Sequence, residues 1–238
     1  MKKYLLFFTS IFLIILAGMN CKNETNITPP PVRVELVDKT AEDSVIEHGI
    51  DAVPESNGIK LEWYPNREKK LEGYAVYRSR FLNKHYLEIG RVKKQYGITD
   101  TTFIDEPVNL DTSYYFFIRA YDELDQFGDP SDTVRYRLVK KAKLLNPIND
   151  NHASSSPRFQ WNSIVTHYFI FRLTKNPENK EEYICVTKKE RKYNSPEDWG
   201  LDEFGVTPLS SGKYYWRIDS VGGENEGAES NWATFIVN

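Results

Sequence analysis

The feature that most constrains the fold of this chain is a series of short runs in which apolar and polar residues alternate. Ile59, Leu61 and Trp63 alternate with polar residues, and residues 114–120 place every second side chain on one apolar face. Successive side chains of a β-strand point to opposite faces, so such runs predict half-buried strands. Aromatic residues make up 14% of the chain, and these favour sheets. The sequence therefore predicts an all-β protein.

The same order of runs occurs twice. The first copy contains "IKLEW", "GYAVYR" and "SYYFFIRAY", then a turn rich in Asp, Gly and Pro, and a closing run. The second copy contains "RFQW", "HYFIFRL" and "KYYWRIDS", then a glycine-rich turn and a closing run. Copies of about 100 residues made of short strands and turns are typical of β-sandwiches. We predict two sandwich domains, residues 32–140 and 141–238, joined closely enough to form a short, semi-rigid rod.

These runs resemble fibronectin type III domains, a family of immunoglobulin-like β-sandwiches. Trp63 matches the tryptophan of strand B, and residues 73–78 match strand C. Tyr114 matches the tyrosine that starts strand F, whose hydroxyl in that family bonds back to the upstream backbone. The second copy resembles a bacterial variant in its "LSSGKYYWRI". Residues 37–57 and 188–205 depart from the family pattern as insertions, and a function for either stays open.

The N-terminal residues have the pattern of a secretory signal peptide, residues 1–20. Lys2 and Lys3 precede an apolar core of about 13 residues, shorter than the ~20 needed to span a bilayer. The segment resembles a relaxed bacterial lipoprotein signal, which is cut just before a cysteine that then carries acyl chains. That resemblance implies lipidation of Cys21, a polar, proline-containing tether over residues 21–31, and a membrane partner. We expect a lipid-anchored protein of the bacterial cell envelope, at the outer membrane or cell surface. Ordinary secretion and a retained membrane anchor are the alternatives.

The sequence lacks a recognisable catalytic signature. The four histidines are scattered and none lies in a nucleophile motif, while Cys185 lies in an apolar run typical of a buried thiol. The acidic turns at residues 122–132 and 224–229 lack the spacing of a calcium loop. A net charge of -3 without long runs of like charge disfavours nucleic acid. We therefore expect a non-catalytic protein without cofactor, metal site or nucleic-acid partner.

Recognition is expected on the outward sides of the two strands that match family strands C and F, which are neighbours in that fold. Aromatic and arginine side chains there are favoured in binding hot spots. The alternatives are that they stabilise an exposed sheet by cross-strand pairing, or that the domain contact covers them. The expected partner is a protein or a glycan, and the rival functions are a secreted or surface glycan-binding module and a hydrolase accessory protein. The candidate binding residues are Tyr77, Tyr115, Phe117, Arg119, Phe169, Phe171, Tyr215 and Arg217.

Overall fold

The computed structural model describes residues 29–95, 97, 100–162, 168–192 and 194–238. Cys21 and the predicted signal peptide lie outside the described residues. Among the described residues, helix is limited to two short 3-10 turns, Lys180–Glu182 and Leu201–Phe204, and none is long and apolar enough to cross a membrane. The strands are β1 (Asp51–Ala52), β2 (Ile59–Glu62), β3 (Leu71–Ser79), β4 (Leu87–Lys93), β5 (Thr102–Asp105), β6 (Ser113–Asp122), β7 (Val134–Leu138), β8 (Lys143–Asn146), β9 (Asn151–Ala153), β10 (Arg158–Asn162), β11 (Tyr168–Thr174), β12 (Tyr183–Glu190), β13 (Glu197–Gly200), β14 (Gly212–Val221), β15 (Glu226–Glu229) and β16 (Ala233–Val237).

The first domain packs the three-stranded sheet β1-β2-β5 against the four strands β4-β3-β6-β7. The alternating residues of β2 and β6 meet in its core, where the rings of Trp63 and Tyr74 form an edge-to-face contact with centroids 5.2 Å apart. Tyr114 is buried, and its hydroxyl accepts a hydrogen bond from the backbone N–H of Asn109 at 3.3 Å. The tyrosine expected to bond back to the upstream backbone therefore does so.

The second domain packs the sheet β8-β10-β13 against a sheet that contains β12, β11, β14 and β16. Its core is rich in aromatic residues, and the ring of Phe159 lies 4.8 Å from Phe171, 5.0 Å from Trp216 and 5.8 Å from Phe235, centroid to centroid. Cys185 packs against this core and has a free thiol, whose pKa is raised by burial. The predicted all-β fold class, with two β-sandwiches, is confirmed.

The two sandwiches also share sheet hydrogen bonds. Strand β15 of the second pairs in parallel with β7 of the first, so that strands of both domains belong to one ten-stranded sheet. The backbone N–H of Val139 donates to the carbonyl of Gly227 at 3.1 Å. A Cβ on Gly227 would lie 2.9 Å from the carbonyl oxygen of Ser220, so glycine permits this close approach. The connection is thus more than a flexible linker.

Candidate binding faces

The outer face of the first domain carries a ladder of aromatic and arginine side chains. Tyr77 on β3 and Phe117 on β6 are register partners, and their rings stack with centroids 4.7 Å apart and an angle of 18°. The ring of Tyr86 contacts Phe117 at the same centroid distance. The hydroxyl of Tyr77 donates to a carboxylate oxygen of Glu88 at 3.2 Å. We call the outer side of β4, β3 and β6 the ladder face.

Arginines continue this ladder. The guanidinium of Arg91 lies 4.9 Å from the ring centroid of Tyr121 and 5.2 Å from that of Phe127, and Arg119 lies 5.1 Å from the Phe127 ring. Gly73 makes room, because a Cβ there would lie 2.8 Å from the hydroxyl oxygen of Tyr121. Many ring surfaces of the ladder are therefore occupied by neighbouring side chains of the same domain.

Ionic contacts hold the Arg91 side chain in place. The Nε atom of Arg91 donates to Glu88 at 2.7 Å, and its Nη1 donates to Asp125 at 3.1 Å. The hydrogen bond to Arg91 holds the pKa of the Glu88 carboxyl below its usual range. Glu88 is thus charged at neutral pH, and Arg91 joins it and Asp125 in a network that connects β4 to the turn after β6.

The predicted residues of the first domain lie where the sequence placed them. Tyr77, Tyr115, Phe117 and Arg119 face outward and are half-buried. Tyr77 and Phe117 contact each other, whereas Tyr115 lies farther along β6, opposite Ser79 and Arg135. The ladder residues that sequence reasoning missed are Tyr86, Arg91 and Phe127, which come from loops and an edge strand whose positions the alternation of one strand does not fix.

The prediction that Phe169 and Phe171 face away from the core is wrong. They are 1% and 0% exposed and belong to the second core. On β11, Phe171 pairs with Ile218 of β14, so the two share a face. The run "YFIFRL" is apolar on both faces, and alternation alone could not decide which side points inward. Both sides are buried, since Ile170 on the opposite face is also 0% exposed.

The insertion at residues 37–57 covers part of the outer face of the second domain, at Arg172 and Arg217. Arg172 on β11 and Arg217 on β14 are register partners, in the place that Tyr77 and Phe117 take in the first domain. Arg172 donates to the carbonyl of Glu42 at 2.8 Å and to that of Ser44 at 2.6 Å. Its Nη2 also donates to Glu47 at 2.6 Å. The insertion of the first domain is therefore bound by the second.

Arg217, predicted to face solvent, is 4% exposed, and that expectation is wrong. Its Nη2 lies 2.8 Å from Glu47, its Nη1 lies 2.8 Å from Glu229, and its guanidinium lies 5.0 Å from the ring centroid of Trp232. Tyr215, two residues earlier, is half-buried and carries Lys213 at 5.5 Å from its ring. Of the two β14 candidates, Arg217 contributes to the domain contact.

Three carboxylates, those of Glu47, Asp51 and Glu229, each place an oxygen within 4.8 Å of the others at this contact. Such a set could in principle supply oxygen ligands to a metal. Each is already paired, however: Lys39 Nζ lies 2.5 Å from Asp51, and Arg217 contacts the other two. A cavity of about 20 Å³ next to them has the volume of one water molecule. The arrangement is that of an ionic contact between domains.

Burial controls the electrostatics of this charge cluster. It raises the pKa of the Glu47 and Glu229 carboxyls, although Arg217 opposes the shift. The pKa of Tyr136 is also raised by burial, and its hydroxyl donates to Asp51 at 3.0 Å. With Asp219, which binds Arg172 at 2.5 Å, four carboxyls face the cations Lys39, Arg172 and Arg217. The cluster therefore carries one more acid than base.

Sequence reasoning missed this cluster, although two signals pointed toward it. Arg172 is a charge inside the otherwise apolar run "YFIFRL", and a charge in such a strand needs buried partners. The insertion at residues 37–57 departs from the family pattern and supplies Glu47 and Asp51. What the sequence did not provide was the pairing between these two segments, which lie more than 120 residues apart.

Comparisons with known proteins found similarity to solved structures alone. No family model and no curated protein matches it. Among solved structures, it is similar to the chicken CNTN1 FN1-FN3 domains at 14% identity, covering 88% of this chain and 68% of that one, with a TM-score of 0.40. It is similar to an Fn3-like protein from Clostridium thermocellum at 20% identity, covering 47% and 94%, with a TM-score of 0.32. The Clostridium perfringens spore cortex lytic enzyme SleM shares 21% identity over 45% of this chain and 27% of its own length, with a TM-score of 0.28.

Proposed function

We propose that this protein is a non-catalytic lipoprotein of the bacterial cell envelope that acts as a binding or structural module. The observation that carries the binding proposal is the contrast between two equivalent faces. The second domain uses its outer face to hold the insertion of the first, while the ladder face of the first domain is left half-exposed. A face that binds a chain segment in one copy is a reasonable binding face in the other.

A protein partner fits the ladder face better than a glycan. Sugars are commonly held against open aromatic ring surfaces, but here Phe117 is stacked against Tyr77 and contacted by Tyr86. What remains for a partner is ring edges, hydroxyls and the half-buried guanidinium of Arg119, whose Nε already donates to the carbonyl of Gly128 at 2.8 Å. These groups suit hydrogen bonds to the polar backbone and side chains of a protein.

The anchor is proposed at Cys21. Each buried CH₂ of an acyl chain contributes about 0.8 kcal/mol, and a single chain gives only marginal and reversible membrane binding. The two or three chains implied by the lipoprotein-type signal would hold the protein stably at a membrane. The sandwiches would then be presented on the tether of residues 21–31, at the outer membrane or cell surface.

Metabolic labelling with a fatty-acid analogue tests the anchor. We expect the wild-type chain to carry label and to sediment with membranes, and Cys21→Ala to lose the label and the stable attachment. Cys185→Ala is the matched control and should behave as wild type, because that thiol packs against the second core. Label and sedimentation that persist in Cys21→Ala would contradict the proposed anchor.

The ladder face is tested by measuring the affinity of the protein for the partner recovered from the organism's own membranes. Phe117→Ala and Arg119→Glu should each weaken binding about ten-fold or more, as expected for residues in a hot spot. Tyr215→Ala changes a half-buried aromatic residue outside the ladder face and should leave affinity unchanged. Equal affinity in all three variants would remove the ladder face from the proposal.

A further inference from the structure

The loop between β3 and β4, residues 80–86, exposes apolar side chains at its tip. Phe81 and Leu82 are each 54% exposed, and Leu87, which begins β4, is 71% exposed. Exposed single apolar residues are ordinary, but two adjacent large ones at the end of a hairpin require an explanation. We call Phe81 and Leu82 the tip.

The tip is held in one conformation. Ser79 is 4% exposed, and its hydroxyl donates to the carbonyl of Lys84 at 2.6 Å while accepting from the N–H of Phe81 at 2.9 Å. Asn83 and His85 adopt left-handed backbone angles, with φ of 60° and 57°. Tyr86, at the end of the loop, packs against Phe117. A loop fixed in this way loses little conformational entropy on binding.

Basic residues flank the tip in the sequence. Arg80 and Lys84 belong to the loop, and residues 79–87 include no acidic residue. Lys84 Nζ lies 5.4 Å from the ring centroid of Phe81. The nearest acid along the chain, Glu88, is engaged by Arg91 and Tyr77. The loop thus combines an apolar tip with basic residues on either side of it in the sequence.

We propose that this loop contacts an anionic lipid surface, with Phe81 and Leu82 entering the headgroup region and Arg80 and Lys84 meeting lipid phosphates. Apolar residues flanked by cations bind membrane interfaces through buried area plus attraction to anionic lipid. The exposed Leu124 offers a contrast, because it is 68% exposed but lies between Glu123 and Asp125. An anionic surface would attract the first site and repel the second.

The length of the chain allows this contact in an anchored protein, a point that rests on the proposed function. The tether meets the first domain at the other end of β3, where the N–H of Val32 donates to Glu68 at 2.6 Å. A nine-residue strand covers about 30 Å. The ten peptide units from Cys21 to Pro31 reach at most ~36 Å. A chain anchored at Cys21 can therefore lie along a membrane with its tip in contact.

An environment-sensitive fluorophore at the tip tests the proposal. The full chain with Cys21→Ser and Cys185→Ala keeps its N-terminal apolar residues and is reconstituted into vesicles, so that every variant is attached without acylation. The fluorophore is placed on Leu82→Cys or, as the matched control, on Leu124→Cys. In vesicles containing phosphatidylglycerol, quenching by spin-labelled lipid should be about five-fold or more stronger at residue 82 than at residue 124. Circular dichroism verifies the fold of each variant.

The dependence of quenching on lipid charge distinguishes contact with lipid from burial of the fluorophore against protein. Pure phosphatidylcholine vesicles, or the pair Arg80→Gln and Lys84→Gln, should bring quenching at residue 82 down to that at residue 124. Equal quenching at the two sites would overturn the proposal. A fluorophore at residue 82 that stays in water until envelope protein is added would also overturn it, in favour of a protein partner. Because attachment here does not use Cys21, failure of the tip and failure of the anchor are distinguishable.

Discussion

Adjacent residues on β11 have opposite roles. The ring of Phe171 stacks on that of Phe204, with centroids 3.8 Å apart, inside the second core, whereas Arg172 points to the other side and binds the insertion of the first domain. Both are 0% exposed. Phe117, at the place equivalent to Arg217, is instead half-buried on the ladder face. Phe171 and Phe117 therefore differ in burial, and their removal should have different costs in stability.

Replacing these two phenylalanines should measure that difference. Phe171→Ala leaves a cavity in a close-packed core and should lower the free energy of unfolding by about 3–5 kcal/mol. Phe117→Ala removes a partly solvated ring from a surface stack and should cost about 1 kcal/mol. Urea unfolding followed by tryptophan fluorescence gives both values. Similar losses for the two variants would contradict the assignment of Phe171 to the core and Phe117 to the surface.

At the scale of elements, the insertion at residues 37–57 changes what the second sandwich can present. It covers Arg172 and Arg217 through two backbone carbonyls and the carboxylate of Glu47. Without it, two guanidinium groups on neighbouring strands would face solvent beside each other. The insertion therefore converts an outer sheet face into a domain contact.

Removing one carboxylate should loosen this contact. Glu47→Ala removes the carboxylate that Arg172 and Arg217 share. It should weaken the docking of the insertion on the second domain by about 3 kcal/mol, the cost of breaking a largely buried ion pair. Glu55→Ala, an exposed acid of the same insertion, should have little effect. Hydrogen exchange of backbone amides in residues 40–50 reports the opening. Unchanged protection in Glu47→Ala would show that the ionic contacts do not hold the insertion.

The sequence predicted the elements better than the contacts between them. Alternation placed Trp63, Tyr114 and Phe116 in the first core correctly, because the polar residues of "IKLEW" and Arg119 of β6 mark the outward sides of those runs. It failed on Phe169 and Phe171, because β11 is buried on both sides and its pattern is continuous. It also could not provide the pairing of β7 with β15 or the ion pairs of Glu47, since these join segments far apart in the chain.

At the scale of the whole molecule, the sandwiches are joined in two ways. The parallel pair β7-β15 makes backbone hydrogen bonds, and the charge cluster joins the insertion to β14 and β15. Ala228 of β15 even belongs to the first core. Neither a short linker nor the charges alone would fix the domains as firmly. The protein is thus built to hold its ladder face and loop tip in a defined relation to the second domain.

The charge cluster should make this joint sensitive to pH. Glu229 is 5% exposed, and burial raises the pKa of its carboxyl well above the ordinary value. The docked state therefore keeps the proton to higher pH than the separated domains do. The stabilisation is fully present below the ordinary pKa of about 4.5 and is lost as pH rises through the raised value. The groups that face Glu229 and set this pKa are Arg217, Glu47, Asp219 and Asp51.

Glu229→Gln tests the sign of the effect. Glutamine keeps the shape and can accept from Arg217, which retains Glu47 and Asp219 as partners. We expect the variant to match wild type at acidic pH and to melt at increasingly higher temperature relative to it as pH rises, by roughly 2–4 °C for each kcal/mol gained. Glu224→Gln, in the exposed turn before β15, is the control and should show no such trend. A variant that is less stable than wild type at alkaline pH would mean that the ionised carboxylate, through Arg217, stabilises the joint, and that the docked domains bind no extra proton there.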